Sequence, residues 1–335
     1  MTTILAAYGW EGGNSMVPGA YSAGSGGAST DKAKTGSYSL RIGGVASNYM
    51  RFAISGSLSE LAFSVWCHAD DEYGINGTNT SGVSMSVLLT SGHYVGLRWD
   101  GANHTLDAYV DGVKVADGTV FVLDNDWFHV QAYIVIDNSA GSIQVKINGH
   151  ESISYTGQDT QPGATSTIDY LHLSGGGNYS DRSYFDDLVW GTGGYLGDLR
   201  CYEKRPDGDG TVTWSPSAGT DNYAMVDETP QSDSDYNETP TDGNADELDL
   251  EDFVGSEGAP VAIMAWVRAR QDAGSGDSIK VGVDSGGTDD VSAAQALSDS
   301  WQYFTHTLDD NPADSEEWAD ADIDALKLRY EAVIP

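Results

Sequence analysis

Apolar positions recur at every second residue in short runs, and glycine, serine or threonine interrupts almost every run. This is the period of a β-strand, whose successive side chains face opposite ways. Ile4–Trp10 is an apolar opening strand, Leu40 and Ile42 share one face of Ser39–Gly43, and Phe63, Val65 and Cys67 share one face of the next. Met85–Leu89, Tyr94–Trp99, Leu106–Val110, Phe128–Ile136 and Tyr170–Leu173 continue the series. Asp111-Gly112 and Asn148-Gly149 each separate two such runs and predict two-residue hairpins, because both positions of a type I′ turn need positive φ. In the second half, Val261, Ile263, Ala265, Val267 and Ala269 alternate against Met264, Trp266, Arg268 and Arg270. Ile279–Val283 and Trp301–Thr307 predict two further strands, and Leu326, Leu328 and Tyr330 alternate against Lys327, Arg329 and Glu331. Pro312–Trp318 predicts a helical turn, and Gln231–Asp246 a long, mobile acidic loop.

The pattern is all-β, and 335 residues are enough for two tandem β-sandwich domains, each with its own core. Gly191–Gly197 breaks the alternation, and Tyr202–Gly210 is charged, with Pro206 and two Asp-Gly pairs. The expected division is a domain over 1–197, a linker over 198–206 and a smaller domain over 207–335. No apolar run approaches the ~20 residues of a membrane span. The opening Met1–Ala7 lacks the basic flank and length of a secretion signal, so synthesis in a host cytoplasm without a signal peptide is expected. Two cysteines, Cys67 and Cys201, make no disulfide framework, and Cys67 reads as a small core residue.

Charge changes the picture most. The chain holds 51 acidic and 16 basic side chains, net −35. Residues 1–197 account for −11 and residues 198–335 for −24. A nucleic-acid partner is not expected, since phosphate binding needs clustered Lys and Arg. With seven lysines and acids spread over many loops, the surface resembles that of a halophile, and a merely acidic, soluble marine or phage protein is the competing reading.

Several segments resemble, in order, the concanavalin A-like or laminin-G-like jelly roll. They are Lys34–Ile42 (KTGSYSLRI), Phe63–Trp66 (FSVW), Trp127–Val130 (WFHV), Val145–Gly149 (VKING) and Tyr184–Trp190 (YFDDLVW), within residues 1–197. The run from Trp301 through Asn311-Pro312 and Trp318 to Leu326, with Asp221–Ala224 and Asp227-Glu228, resembles a C-terminal β module of tailed-virus structural proteins. The first resemblance implies a structural Ca²⁺ held by an acid after the first strand and acids in the last, here Glu11 with Asp186 or Asp187. Tyr73, Tyr94, Trp99 and Tyr179, flanked by polar loop residues, are candidates for a sugar-stacking surface.

Glu247-Leu248-Asp249-Leu250-Glu251 resembles the E-x-D-x-E signature of family 16 glycoside hydrolases. On a strand its three acids share a face. It lies outside the jelly-roll-like half, so a solvated acidic edge is the competing reading. His68 and His129 alternate beside core positions and are expected to be strand histidines rather than ligands.

Together these features imply a non-enzymatic structural protein on a virus particle, on the surface of head or tail. Its expected partners are other virion proteins, a host-surface glycan or glycoprotein, and further copies of itself, with no membrane insertion. The alternatives are a glycan-cleaving enzyme using Glu247, Asp249 and Glu251, and a cellular carbohydrate-binding module. One consequence is testable at once. Self-repulsion at net −24 opposes compaction, and at ~1 M salt the screening length falls to about 3 Å. The melting temperature of the second domain should rise between low salt and molar KCl; an unchanged value would remove the halophile reading.

Overall fold

The computed structural model describes residues 2–13, 20–23, 25–43, 48–70, 83–123, 125–175, 182–252, 260–272 and 276–335. The chain divides into two compact units, Met1–Tyr202 and Glu203–Pro335. Both are built almost wholly of antiparallel strands.

In the first unit the strands are β1 (Thr3–Tyr8), β2 (Ala20–Ala23), β3 (Ser25–Ser29), β4 (Ser39–Gly43) and β5 (Tyr49–Ala53). Next come β6 (Glu60–Asp70), β7 (Ser84–Leu89), β8 (Tyr94–Asp100), β9 (Thr105–Val110) and β10 (Val113–Ala116). The last five are β11 (Trp127–Val135), β12 (Gly141–Ile147), β13 (His150–Gln158), β14 (Ile168–Ser174) and β15 (Arg182–Thr192). Among the described residues, one sheet has the order β13-β12-β11-β6-β15-β4-β3, with β1 also on β15. The other has the order β10-β9-β8-β7-β14-β5-β2.

Alternation decides which face each side chain takes. On β6 and β11, paired from Trp127↔His68 to Val135↔Glu60, Leu61, Phe63, Val65 and Cys67 meet Phe128, Val130, Ala132 and Ile134 in the core. The opposite sheet contributes Met85, Val87, Val95, Leu97, Leu171 and Leu173. Rings close the sandwich, with Phe52 5.4 Å from Tyr8 and 5.3 Å from Trp190. Each such side chain contributes roughly 1.5–3 kcal/mol by leaving water. Both predicted hairpin turns form, with φ of 46° and 83° at Asp111-Gly112 and 49° and 80° at Asn148-Gly149.

In the second unit, β16 (Pro206–Asp209), β17 (Ser215–Pro216), β18 (Asn237–Glu238), β19 (Ala245–Leu250) and β20 (Ile263–Ala269) precede β21 (Ser278–Ser285). β22 (Thr288–Val291), β23 (Gln295–Ala296), β24 (Gln302–Leu308), a helix α1 (Asp320–Asp324) and β25 (Lys327–Val333) complete it. Among the described residues the larger sheet has the order β16-β19-β25-β21-β22, with β23 on β21, and β20 pairs with β24. Leu248, Val281, Val283 and Tyr330 of the larger sheet share a core with Ala265, Phe304, Leu308 and Trp318.

Three of the expected stretches take definite form, and one of them is corrected. Pro312–Trp318 contains a turn, with the Ser315 amide donating to the Asn311 carbonyl at 2.8 Å and the buried Trp318 indole to the Leu308 carbonyl at 3.3 Å, and among the described residues the α-helix is α1. The 231–246 segment is not a free loop. It contains β18, and the fully buried Asp246 accepts the amides of Thr213 and Trp214 at 2.7 and 2.9 Å, the Asn222 amide group at 2.7 Å and the Tyr330 hydroxyl at 3.0 Å. The division between the units, after Tyr202, falls inside 198–206. Asp198 accepts the Trp66 indole N–H at 3.0 Å within the first unit, and Pro206 opens β16 of the second.

Candidate functional site

The sequence-predicted acids Asp186 and Asp187 lie mid-way along β15, which pairs with β1, β4 and β6. The register slips between Asp186 and Val189, and Asp187 takes a left-handed φ of 49°, a conformation aspartate tolerates better than most residues. Both side chains are fully buried. Asp186 Oδ2 accepts the Lys34 and Thr35 amides at 2.7 and 3.2 Å. Asp187 Oδ1 accepts the Thr35 hydroxyl at 2.8 Å and the Cys201 amide at 2.9 Å. Glu11 holds the next residues of the same loop, accepting the Ser37 and Tyr38 amides at 2.8 and 3.1 Å. Burial and the neighbouring Asp187 push the Asp186 carboxyl up to about 8, and burial pushes Asp187 up to about 6.

This arrangement bears on the implied calcium. Asp187 Oδ2 is buried without a hydrogen-bond partner and lies 3.7 Å from Arg200 Nε. Adjacent buried carboxylate oxygens, one unsatisfied, have the donor chemistry a hard cation uses. Glu11 does not converge with them. Among the described residues, three acidic ligand atoms come within 4.8 Å of one another at Glu247, Asp284 and Asp289, not at Glu11, Asp186 and Asp187. Asp186 and Asp187 thus offer oxygen ligands of the kind a hard cation uses, with Arg200 the cation now beside Asp187, while Glu11 acts directly as the amide acceptor for the loop.

That second acidic group surrounds a cation already. Arg329 Nη1 contacts Glu247 at 2.6 Å and its Nε lies 3.2 Å from Asp289. Lys327 pairs with Asp249 at 3.2 Å, and Glu251 accepts the Arg205 amide at 3.3 Å. Alternation does put the Glu247 and Asp249 acids on one face of β19, as the motif predicts. The pairing of β19 with β25 then sets Glu247 opposite Arg329 and Asp249 opposite Lys327. The result is a cross-strand ladder of opposite charges.

A third cluster was not singled out from the sequence as a site. On the outer face of β6 and β11, His129 Nε2 lies 2.7 Å from the Ser64 hydroxyl, and its ring stacks on Trp66 at 5.1 Å. The Ser64 hydroxyl also donates to the Gly197 carbonyl at 2.9 Å, and Gln131 accepts the Gly197 amide at 3.0 Å. Asp198 stands 3.8 Å from the same His129 Nε2. A serine nucleophile relay needs serine and acid on opposite ring nitrogens. Here both face one nitrogen, and Ser64 and His129 are buried. Alternation announced that His129 and Gln131 turn away from the core, but their partners Ser64 and Gly197 lie more than sixty residues away in sequence.

Of the candidate stacking aromatics, Tyr94 is 38% exposed at the start of β8. Trp99 is corrected. It is 3% exposed, with its ring 6.4 Å from Phe128 and 6.0 Å from His104, so the core occupies the surface a sugar would need. Tyr73 and Tyr179 lie outside the described residues.

No family model and no curated protein matches the sequence. Solved structures similar to this chain include an alginate lyase, Aly36B, at 16% identity over 59% of this chain and 98% of that one, with a TM-score of 0.38. Domain 4 of AbnA, a GH43 extracellular arabinanase from Geobacillus stearothermophilus in complex with arabinotriose, is 16% identical over 59% and 95%, with a TM-score of 0.40. The carbohydrate-binding module CBM66 from Bacillus subtilis is 10% identical over 52% and 96%, with a TM-score of 0.35. At these values the fold assignment rests on the sheets themselves.

The buried histidine carries a pH dependence. Burial, with Arg200 and Lys34 nearby, holds His129 down to about 4, with Asp198 opposing, against an ordinary value near 6.5. Between those values the unfolded chain binds a proton that the folded chain refuses, so this contribution to stability is lost as pH falls from about 6.5 towards 4. Asp186 and Asp187 work the other way, because their raised values favour the folded state as pH falls. Melting curves from pH 7 to 4 should therefore show a smaller acid loss for His129→Gln than for the wild type. Parallel curves would remove His129 from the account.

Proposed function

We propose that this chain is a non-catalytic recognition protein that binds glycan and is displayed on the surface of a virus particle. The observation that carries the non-catalytic part is the ladder at Glu247 and Asp249. A retaining glycosidase needs two carboxyls about 5 Å apart facing a sugar, one of them protonated. Here Glu247 is engaged by Arg329 and Asp249 by Lys327 on the neighbouring strand, and Glu251 accepts the Arg205 amide. The sealed Ser64–His129 contact supports the same reading. The particle assignment rests on the virion-type sequence pattern of the second unit, with other virion proteins and further copies of the chain as partners and a saline habitat for the host.

Weak individual sites strengthened by display are the expected mode, since a linked second binding event is effectively intramolecular. The purified chain should bind host-envelope glycan weakly and a multivalent display of it far more tightly, without releasing sugar. Glu251→Gln should leave binding unchanged. Sugar released by the wild type and lost in Glu251→Gln would make the chain an enzyme, and absence of the protein from purified virions would end the particle assignment.

We also propose that Asp186 and Asp187 hold a structural Ca²⁺, with backbone carbonyls and water completing its oxygen shell. A cation bound only by the folded state stabilises it in proportion to ln(1 + [L]/Kd). Chelation should lower the melting temperature of the first unit, and Asp187→Asn should abolish that response. An identical melting temperature with excess Ca²⁺ and with chelator would refute the site.

A further inference from the structure

The two-stranded sheet β20–β24 turns one face to the core and the other away from it. Ala265, Phe304 and Leu308 belong to the core. The register sets Trp266 opposite Thr305 and Arg268 opposite Tyr303, so these side chains share the outer face. Trp266 and Tyr303 meet edge to face at 5.6 Å. The Arg268 guanidinium lies 5.2 Å from the Tyr303 ring and 5.9 Å from Trp301, and that of Arg270 lies 5.3 Å from Trp301. A rise of about 3.4 Å per residue separates the registers of residues 301, 303 and 305 by about 7 Å each, which makes a row of rings. The three rings are half-buried, and Arg270 is exposed.

The chain supplies its own example of what this row holds. Asp233 receives Nε and Nη2 of Arg268 at 2.7 and 2.8 Å, the bidentate fork by which a guanidinium recognises a carboxylate. Arg268 in turn holds the Asp233 carboxyl below its usual range. Arg270 stands beside the same Trp301 ring with a looser contact, 3.9 Å to Asp272, whose side chain is 96% exposed.

The placement runs against composition. Residues 203–335 hold 31 acidic and seven basic side chains. Lys280, Lys327 and Arg329 pair with acids on the larger sheet, and Lys204 and Arg205 with Asp324 and Glu203. The remaining two basic residues both lie on the aromatic row.

We infer that the outer face of β20–β24 is a binding site for a carboxylated glycan. The 231–236 segment edges this row, with Gln231 accepting the Tyr303 hydroxyl at 3.4 Å and Tyr236 6.3 Å from Trp301. Sugar rings lie along the parts of Trp266, Tyr303 and Trp301 left exposed, and a sugar carboxylate is taken by Arg270 as Asp233 is taken by Arg268. Aromatic faces supply the apolar contact area and the guanidinium supplies the selectivity. This rests on the glycan-recognition reading above and names the sugar class for it.

The test uses the full chain in molar KCl, where the net charge of the unit is screened within about 3 Å. Titration with tetragalacturonate and with its methyl ester compares the same rings with and without charge. The acid should bind about two- to fivefold more tightly than the ester, the range of an exposed ion pair. Arg270→Gln should erase that difference, and Trp301→Ala should weaken both ligands. Arg270 is exposed, so its variant stays folded even if Trp301→Ala does not, and melting temperatures check both. Equal binding of acid and ester overturns the carboxylate preference. Host-envelope glycan binding that ignores Arg270→Gln overturns this site and leaves the glycan reading standing. If neither tetramer nor envelope glycan binds, both fall. Self-association that Trp301→Ala abolishes, without glycan binding, would make the row a protein interface instead.

Discussion

The first unit depends on one strand running through the middle of its larger sheet. β15 is the last strand of the unit in sequence, yet it pairs with β1, β4 and β6, so the sheet closes only when the end of the unit returns to its beginning. The irregularity at Asp186–Asp187 interrupts that ladder at its most buried point. Two carboxylates buried side by side carry a desolvation penalty of several kcal/mol unless compensated. The compensation here comes from the amides of Lys34 and Thr35, the Thr35 hydroxyl and the Cys201 amide. A costly pair of buried carboxyl groups therefore fixes both the loop after β3 and the segment that leaves β15.

The second unit repeats the device with a single acid. Asp246 is fully buried and gathers two amides, an asparagine and a tyrosine from across the unit. Asp209 does the same at Asn222 and Tyr223, accepting their amides at 3.0 and 2.7 Å. In so acidic a chain, carboxylates thus fall into two populations. Buried Asp186, Asp187 and Asp246 accept backbone amides, whereas Glu247 and Asp249 pair across strands; between acids left in solvent, salt screens the repulsion.

The same division applies to the acids of β19. Reactive carboxyls are distinguished by what surrounds them rather than by their spacing. The Glu247–Glu251 motif has a spacing known from hydrolases, and β25 supplies Arg329 and Lys327 opposite it. The same alternation that aligns acids on β19 aligns Trp266, Arg268 and Tyr303 on β20 and β24. There a carboxylate is bound by the row rather than supplied by it.

Sequence alone determined what is local. The period of two placed Phe63, Val65 and Cys67 inside, and Asp-Gly and Asn-Gly set the hairpins, because side-chain direction and turn φ depend on a few adjacent residues. The all-β class was legible in the same way. What tertiary structure decided depended on partners far along the chain. Trp99 has the flanks of a rim residue but lies against Phe128 in the core. Glu247 has the spacing of a catalytic acid but is set opposite Arg329, 82 residues on. Asp246 sits in a segment with the composition of a mobile loop but is held by Tyr330. Strand register assigns such neighbours, and register emerges only when every hydrophobic face is buried at once.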